Sequence, residues 1–324
     1  MILVTGGAGY IGSHYVLHAI EQGAEVVVLD NLVYGHREAV PDGVQLVVAE
    51  MGDAETLDRI FTEHNIDAVV HFAAYAYVGE SVTQPAKYFQ NNTVSAMAVL
   101  DAMRRHNVNY FVFSSTCATY GDPRYVPMDE LHPQDPINPY GESKYFVERI
   151  LKAYDRAYGL RYTALRYFNA AGADPGGAIG ESHDPETHLI PLVLQAAAGT
   201  RESIAIFGTD YDTPDGTCIR DYIHILDLAD AHSLALNRLR SGAPSDVFNL
   251  GTENGNSVRE VIAACERISG RQIRVEEAPR RAGDPPRLVA SAAKAKSVLG
   301  WKPQYDSLEP IVRTAWAWEQ HRRF

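Results

Sequence analysis

The sequence predicts an α/β protein, with a doubly wound parallel sheet in its first half and a smaller C-terminal α/β lobe. Three observations predict it. Short apolar runs alternate with longer amphipathic stretches as far as residue 166, the pattern that parallel strands joined by right-handed crossovers require. A glycine-rich turn at residues 5–12 follows the first run and opens an amphipathic segment. After Asn169 the stretch AAGADPGGAIGESHDPET is rich in glycine, proline and acid and has no periodicity, which marks a lobe boundary.

The elements follow in chain order. Strands are expected at 2–5, 25–30, 45–49, 68–72, 110–114 and 161–166. Helical spacing runs over 11–22, closed by Gly23, and over 54–64, where Leu57, Ile60 and Phe61 share a face. Beyond the boundary, helices are expected at 189–198, 257–269 and 308–318, and strands at 204–207 and 247–250. The first lobe is therefore set at 1–172 and the second at 173–324, with a segment around 215–242 that can return to the first.

A chain of 324 residues with 46% hydrophobic and 22% charged residues is large enough for two cores. Its formal net charge of −12 argues against binding nucleic acid or an anionic membrane, since both call for a basic face. Cys117, Cys218 and Cys265 are too few and scattered for a disulfide framework. The N-terminal MILVTGG has no basic leader and no run of 18 apolar residues follows, so a cytoplasmic protein is expected.

Gly7, Gly9 and Gly12 fit G-x-G-x-x-G between a strand and a helix, where the glycines allow a tight turn, close approach of a pyrophosphate and helix–strand packing. Free amides and the helix dipole favour the anion, so the sheet is expected to be Rossmann-type. Asp30 ends the second strand, where a carboxylate accepts hydrogen bonds from ribose hydroxyls and repels a ribose phosphate. NAD is therefore expected over NADP.

Tyr140 and Lys144 lie four residues apart in NPYGESKYFVERI, which puts both on one face of a helix. A phenol of pKa near 10 is a poor base at neutral pH, and nearby cations stabilise its anion. Lys144 and an oxidised nicotinamide would supply them, leaving Tyr140 to take a hydroxyl proton as hydride departs. Ser114, Ser115 and Thr116 end the fifth strand at the same edge, and Thr116 is the hydroxyl expected to meet the reacting oxygen. Arg220 and Arg281 suit a diphosphate, and Phe207 can lie against a base. His183 and His188 have no nearby cysteine or paired carboxylate pattern, so no metal is expected.

Taken together, TGGAGYIG, VVVLDN, HFAAYAYVGES, FSSTCATYG, NPYGESK and LRYFNAAG resemble the extended short-chain dehydrogenase/reductase family, and within it the UDP-hexose 4-epimerases. The likeness continues through SIAIFGTDYDTPDGTCIRDYIH, FNLGTENGNSV and APRRAGDPPRLVAS. It implies a UDP-sugar substrate, a homodimer, a place in galactose metabolism, and NAD recycled in each turnover as C4 is oxidised, the keto sugar rotates and hydride returns to the other face. Tyr140 would be the base, Lys144 its modulator, and Thr116 an assistant. The resemblance places NAD against Gly6, Tyr10, Ile11, Asp30, Asn31, Phe72, Ala73, Ala74, Asn92, Ser114 and Phe168, besides the loop glycines and the catalytic pair. It places the UDP-sugar against Asn169, His188, Leu189, Ala205, Phe207, Arg220, Arg281 and Asp284.

Three positions depart from the family pattern. Gly-Asp after the third strand is replaced by Glu50-Met51, with Asp53 in a shifted alignment, so either carboxylate is open as the adenine contact. Ala76 stands where many bacterial members carry lysine. Leu288 falls at a position that limits pocket size, which predicts poor handling of N-acetylated sugars. Two other activities compete: a 4-epimerase of UDP-xylose and UDP-arabinose, and an NAD-sensing regulator without chemistry. A 4,6-dehydratase would carry Asp-Glu after the reactive threonine, where Cys117 and Ala118 stand.

Overall fold

The computed structural model describes residues 1–281 and 283–324. Its main sheet has seven strands, all parallel. Six come in the order of the sequence pattern: β1 (Ile2–Thr5), β2 (Val26–Asp30), β3 (Gln45–Val48), β4 (Ala68–His71), β5 (Tyr110–Ser114) and β6 (Arg161–Arg166). Across the sheet they run β3-β2-β1-β4-β5-β6, so the winding reverses between β1 and β4, where a crevice opens at the carboxyl ends.

Period-two alternation decides which core each strand feeds. Ile2 and Val4 enter a cluster with Tyr15, Val16, Leu228 and Leu236 on one face. Leu3, between them, enters a cluster with Leu57, Ile60, Val99, Val147 and Leu151 on the other. Helices Tyr10–Glu21 and Ile225–Arg240 cover the first face. Helices Ala54–Glu63, Ser95–Arg105 and Pro139–Tyr158 cover the second. Most predicted bounds shift by a residue or two. Gly23, with φ +80°, follows the first helix as expected.

The seventh strand, Asp246–Asn249, pairs with β6, so the run expected in the second lobe at 247–250 belongs to the first sheet. The chain thus returns through both the helix Ile225–Arg240 and this strand, further than residue 242. The second lobe packs helices Leu189–Ala198, Val258–Ser269 and Leu308–Gln320 around the parallel pair Ile204–Phe207 and Val275–Ala278. Among the described residues, no helix is long and apolar enough to cross a membrane.

Candidate active site

The glycine loop is built by contacts that exclude a side chain almost everywhere. Gly6 has φ +73°, and a Cβ there would lie 2.5 Å from the Ala73 nitrogen. That close approach lets Phe72 and Ala73 donate to the Thr5 carbonyl at 2.9 and 3.1 Å. A Cβ on Gly7 would meet Val28, and one on Gly12 would come within 2.0 Å of the Gly6 oxygen, so helix and loop touch directly. Gly9 is different. Its Cβ would meet nothing closer than 3.5 Å, an ordinary contact, so the protein's own packing does not require a glycine there. Gly9 is also the N-cap of Tyr10–Glu21 and gives it no side-chain cap. Bare amides at a helix start, beside a residue kept small for no internal reason, fit a bound pyrophosphate.

Asp30 is buried at the end of β2, its Oδ2 accepting from the Ala8 amide at 3.0 Å and its Oδ1 from the Leu32 amide at 2.8 Å. Burial pushes its pKa up and these amides oppose the rise. Asn31 donates to both carboxylate oxygens of Glu50, at 3.3 and 3.2 Å. Asp53 is engaged elsewhere: it caps Ala54–Glu63, accepting from the Glu55 amide and the Thr56 hydroxyl. Of the two carboxylates the sequence offers to adenine, Glu50 is therefore the one beside Asn31, while Met51 is buried in the core. Near Ala76, Lys87 reaches in from another helix, its Nζ 4.2 Å from the centre of the Tyr75 ring.

Several other predicted contacts are occupied by internal bonds. The Tyr10 hydroxyl donates to the Gly172 carbonyl at 2.7 Å, leaving its backbone, with that of Ile11, at the helix start. Asn92 is buried and spends both amide hydrogens on the Tyr75 carbonyl at 2.9 Å and the Ser143 hydroxyl at 3.0 Å, while its oxygen accepts from the Tyr75 amide. It braces the loop around Ala74 against the catalytic helix. The Phe72 ring packs 4.6 Å from His232.

The predicted trio, Thr116, Tyr140 and Lys144, converges at the carboxyl edge of β5. Pro139–Tyr158 starts at Asn138, whose side chain caps the Gly141 amide, with proline in the first turn. That start fixes Tyr140 at the head of the helix and Lys144 one turn on. Lys144 is buried and its Nζ donates to the Ser114 carbonyl at 2.8 Å, 4.9 Å from the Phe113 ring centre. Desolvation lowers its pKa to about 7, with Glu148 pulling the other way. Burial raises Tyr140 to about 12, and a hydrogen bond with Thr116 opposes the rise. The expected phenolate at neutral pH is thus not produced by these side chains alone, because desolvation outweighs what they supply. Thr116 is held by its own cap, accepting from the Ala118 amide at 3.1 Å.

Behind the trio lies a network that the sequence did not reveal. Arg166 and Glu148 are a buried pair, with Nε to Oε1 at 2.9 Å. Arg166 also donates to Tyr120 at 2.8 Å, Tyr120 donates to Asn249 at 2.7 Å, and Ser115 donates to Glu148. This ties the catalytic helix to β5, β6 and the seventh strand. Glu148 and Arg166 lie between Lys144 and Asn169 in sequence, but no local pattern distinguishes them from surface charges.

Apart from Thr116, Tyr140 and Asn169, the predicted substrate residues lie beyond residue 172. Ala205 and Phe207 share the half-exposed face of Ile204–Phe207. The Arg281 guanidinium lies 3.9 Å from the Phe207 ring centre, and Arg220 is paired with Asp284. Arg281 and Asp284 line a cleft of about 410 Å³ with Asp122, Tyr211 and Arg280. Leu288 pairs in register with Arg220 and packs with Phe168 against the cluster of Cys117, Tyr120 and Met128. Asn169 donates to the Asp221 carbonyl at 3.0 Å. Leu189 opens a helix that His188 precedes without a side-chain cap, its Nδ1 turned instead toward Glu181 and Glu186, each at 2.9 Å. The fold brings Glu181 and Glu186 beside His183 and His188, a grouping that the separate positions of these residues in the chain do not announce.

A switch-point crevice, an anion-ready glycine loop with an acidic partner, and a Tyr-Lys pair one strand away define a dinucleotide-dependent enzyme of the short-chain dehydrogenase/reductase type. The sequence pattern of the NAD dependent epimerase/dehydratase family matches residues 2–251, and the chain belongs to that family. It is 55% identical to UDP-glucose 4-epimerase of Streptococcus mutans over 98% of this chain and 96% of the relative. A crystal structure of a UDP-glucose 4-epimerase superposes with a TM-score of 0.98 at 50% identity, covering 99% of this chain and 98% of that one. The enzyme of Brucella ovis, solved in complex with NAD, superposes with a TM-score of 0.95 at 49% identity, covering 98% and 97%.

Proposed function

We propose that this chain is an NAD-dependent UDP-glucose 4-epimerase that interconverts UDP-glucose and UDP-galactose. The observation that carries the reading is the trio Thr116, Tyr140 and Lys144 at the edge of β5, beside a loop whose Gly9 leaves room only a ligand would use. Gly6, Gly7, Gly9, Gly12, Asp30 and Glu50 would hold the dinucleotide, which when bound takes hydride from the sugar C4 and gives it back. Tyr140 accepts the O4 proton and later returns it. Thr116 orients that oxygen, and Lys144, anchored on Ser114, supplies positive charge beside the phenol. Arg220, Arg281 and Phe207 hold the UDP end while the keto sugar turns. Asn92 acts through the loop it braces.

Dehydration is disfavoured because Cys117 follows Thr116, and burial pushes its thiol up instead of offering an acid. Retention of the complete trio weighs against a regulator without chemistry. The reading extends to a homodimer serving galactose metabolism in the cytoplasm. Exposed apolar Val94, Met97 and Phe146, on or beside two neighbouring helices, support self-association. The test offers UDP-galactose and UDP-xylose without added NAD and follows C4 by NMR. Inversion of the hexose supports the reading, and faster inversion of UDP-xylose would replace it. Tyr140→Phe is expected to lose about 10³-fold in kcat with NAD retained, and unchanged turnover would remove Tyr140 from the mechanism.

A further inference from the structure

We propose that Glu181, His183, Glu186 and His188 bind one divalent transition-metal ion of the zinc type, which pins the segment between the lobes against the dinucleotide loop. One donor atom from each residue lies within 4.8 Å of all the others. His183 Nδ1 is 3.3 Å from Glu181 Oε1 and 3.5 Å from Glu186 Oε2, and His188 Nδ1 is 2.9 Å from Glu181 Oε1. Tetrahedral zinc with ligands at about 2.0–2.1 Å has neighbouring ligands about 3.3 Å apart, and these three separations lie near that spacing.

The hydrogen bonding points the same way. His183 Nδ1 and Glu186 Oε2 are buried without a hydrogen-bond partner although they face each other. The Glu186 side chain is only 4% exposed, so leaving its oxygen bare is costly. Its other oxygen, Oε1, accepts from the Thr187 and His188 amides at 2.7 and 2.8 Å and also meets His188 Nδ1 at 2.9 Å, a contact the imidazole exchanges for the ion on binding. That is the arrangement of a ligating carboxylate, one oxygen oriented by the backbone and the other free for the ion. Two carboxylates balance a double positive charge, and two imidazoles select transition metals over magnesium or calcium, which prefer oxygen alone.

The surroundings explain what the ion would do. Trp318 donates to the Glu181 carbonyl at 2.9 Å, His36 is bonded to the Ser182 carbonyl at 2.9 Å, and Tyr77 donates to the Pro185 carbonyl at 2.9 Å. Tyr10, at the head of the dinucleotide helix, packs edge-on to His183 at 6.0 Å. Both lobes and the C-terminal helix therefore meet at this cluster. The signal in the sequence is the run E-x-H-x-x-E-x-H within GESHDPETH.

The test uses the full chain, stripped with a chelator and titrated with Zn²⁺ and, separately, Co²⁺. Expected are one equivalent of bound metal per chain, a rise in Tm with Zn²⁺, and a Co²⁺ visible spectrum of tetrahedral intensity. Glu181→Gln and His183→Gln should each weaken binding by about 100-fold or more, with NAD content and circular dichroism reporting that the variants fold. Substoichiometric metal without a Tm shift, an octahedral Co²⁺ spectrum, or variants that bind like wild type would each overturn the proposal. The Co²⁺ spectrum of the unaltered chain decides the geometry even if a variant fails to fold.

Discussion

Lys144→Met should stabilise the protein while disabling it, and the gain should shrink as pH rises. Desolvation brings Lys144 from its usual 10.5 to about 7 in the fold. At about 1.4 kcal/mol per unit, a protonated lysine there costs roughly 5 kcal/mol relative to the unfolded chain. The sign follows from proton counts. Between the two values the unfolded chain holds the proton and the folded one does not, so wild-type stability rises with pH from about 7 towards 10.5. The cost falls from about 4 kcal/mol at pH 7 to about 2 kcal/mol at pH 9. Methionine has no such dependence, and it leaves the Ser114 carbonyl without its donor, a loss of about 1 kcal/mol. The variant should therefore exceed wild type by roughly 3 kcal/mol at pH 7 and roughly 1 kcal/mol at pH 9. Urea unfolding at both pH values, on protein stripped of dinucleotide, reads the difference directly. Other groups that titrate in this window, including His183 and His188, are common to both proteins and cancel. Parallel pH dependences would refute the reasoning.

The loop glycines should separate folding from binding: Gly9→Ala keeps Tm near wild type and weakens NAD binding at least about 10-fold, whereas Gly12→Ala, set against the Gly6 oxygen, lowers Tm outright. Calorimetry and dinucleotide titration distinguish them, and a Gly9→Ala that binds NAD normally would remove the close approach inferred there. Glu148→Gln strands the buried Arg166 charge and should cost about 3 kcal/mol, seen as a Tm loss of several degrees, and an unchanged Tm would mean the pair adds nothing. Leu288→Ala should raise kcat/KM for UDP-N-acetylglucosamine relative to UDP-glucose by about 10-fold, and an unmoved ratio would clear Leu288 of setting pocket size.

What was legible in the sequence was local in the chain. The strands, the glycine loop, Asp30 and the Tyr140–Lys144 spacing depend on residues within a turn or two of each other, where periodicity and backbone chemistry suffice. What was missed joins distant segments. The Asp246–Asn249 strand reads as a generic short apolar run, and only its pairing with β6 assigns it to the first sheet. Asn92 and Ser143 lie 51 residues apart, and Tyr120 and Asn249 lie 129 apart, so neither brace has a sequence signature. The burial that raises the proton affinity of Tyr140 is a property of the assembled fold, which no local pattern carries. Glu181 and Glu186 meet His183 and His188 only through the fold of an aperiodic stretch, where spacing along the chain does not show which side chains converge.

The distribution of constraint across the site matches the demands of inversion at C4. Hydride that leaves one face of the ring and returns to the other requires the sugar to turn against a wall that does not move. The wall is over-determined: Asn138 caps the catalytic helix, Asn92 holds it through Ser143, and Glu148 holds it through Arg166. Tight contacts to every sugar hydroxyl would oppose the turn, so affinity has to come from the part of the substrate that stays still. The groups suited to supply it lie at the far end, where Arg220 is fixed by Asp284 and Arg281 lies on Phe207. In the proposed roles, a rigid proton-transfer edge and a remote diphosphate anchor would leave the hexose as the least constrained part of the complex, which is the condition rotation needs.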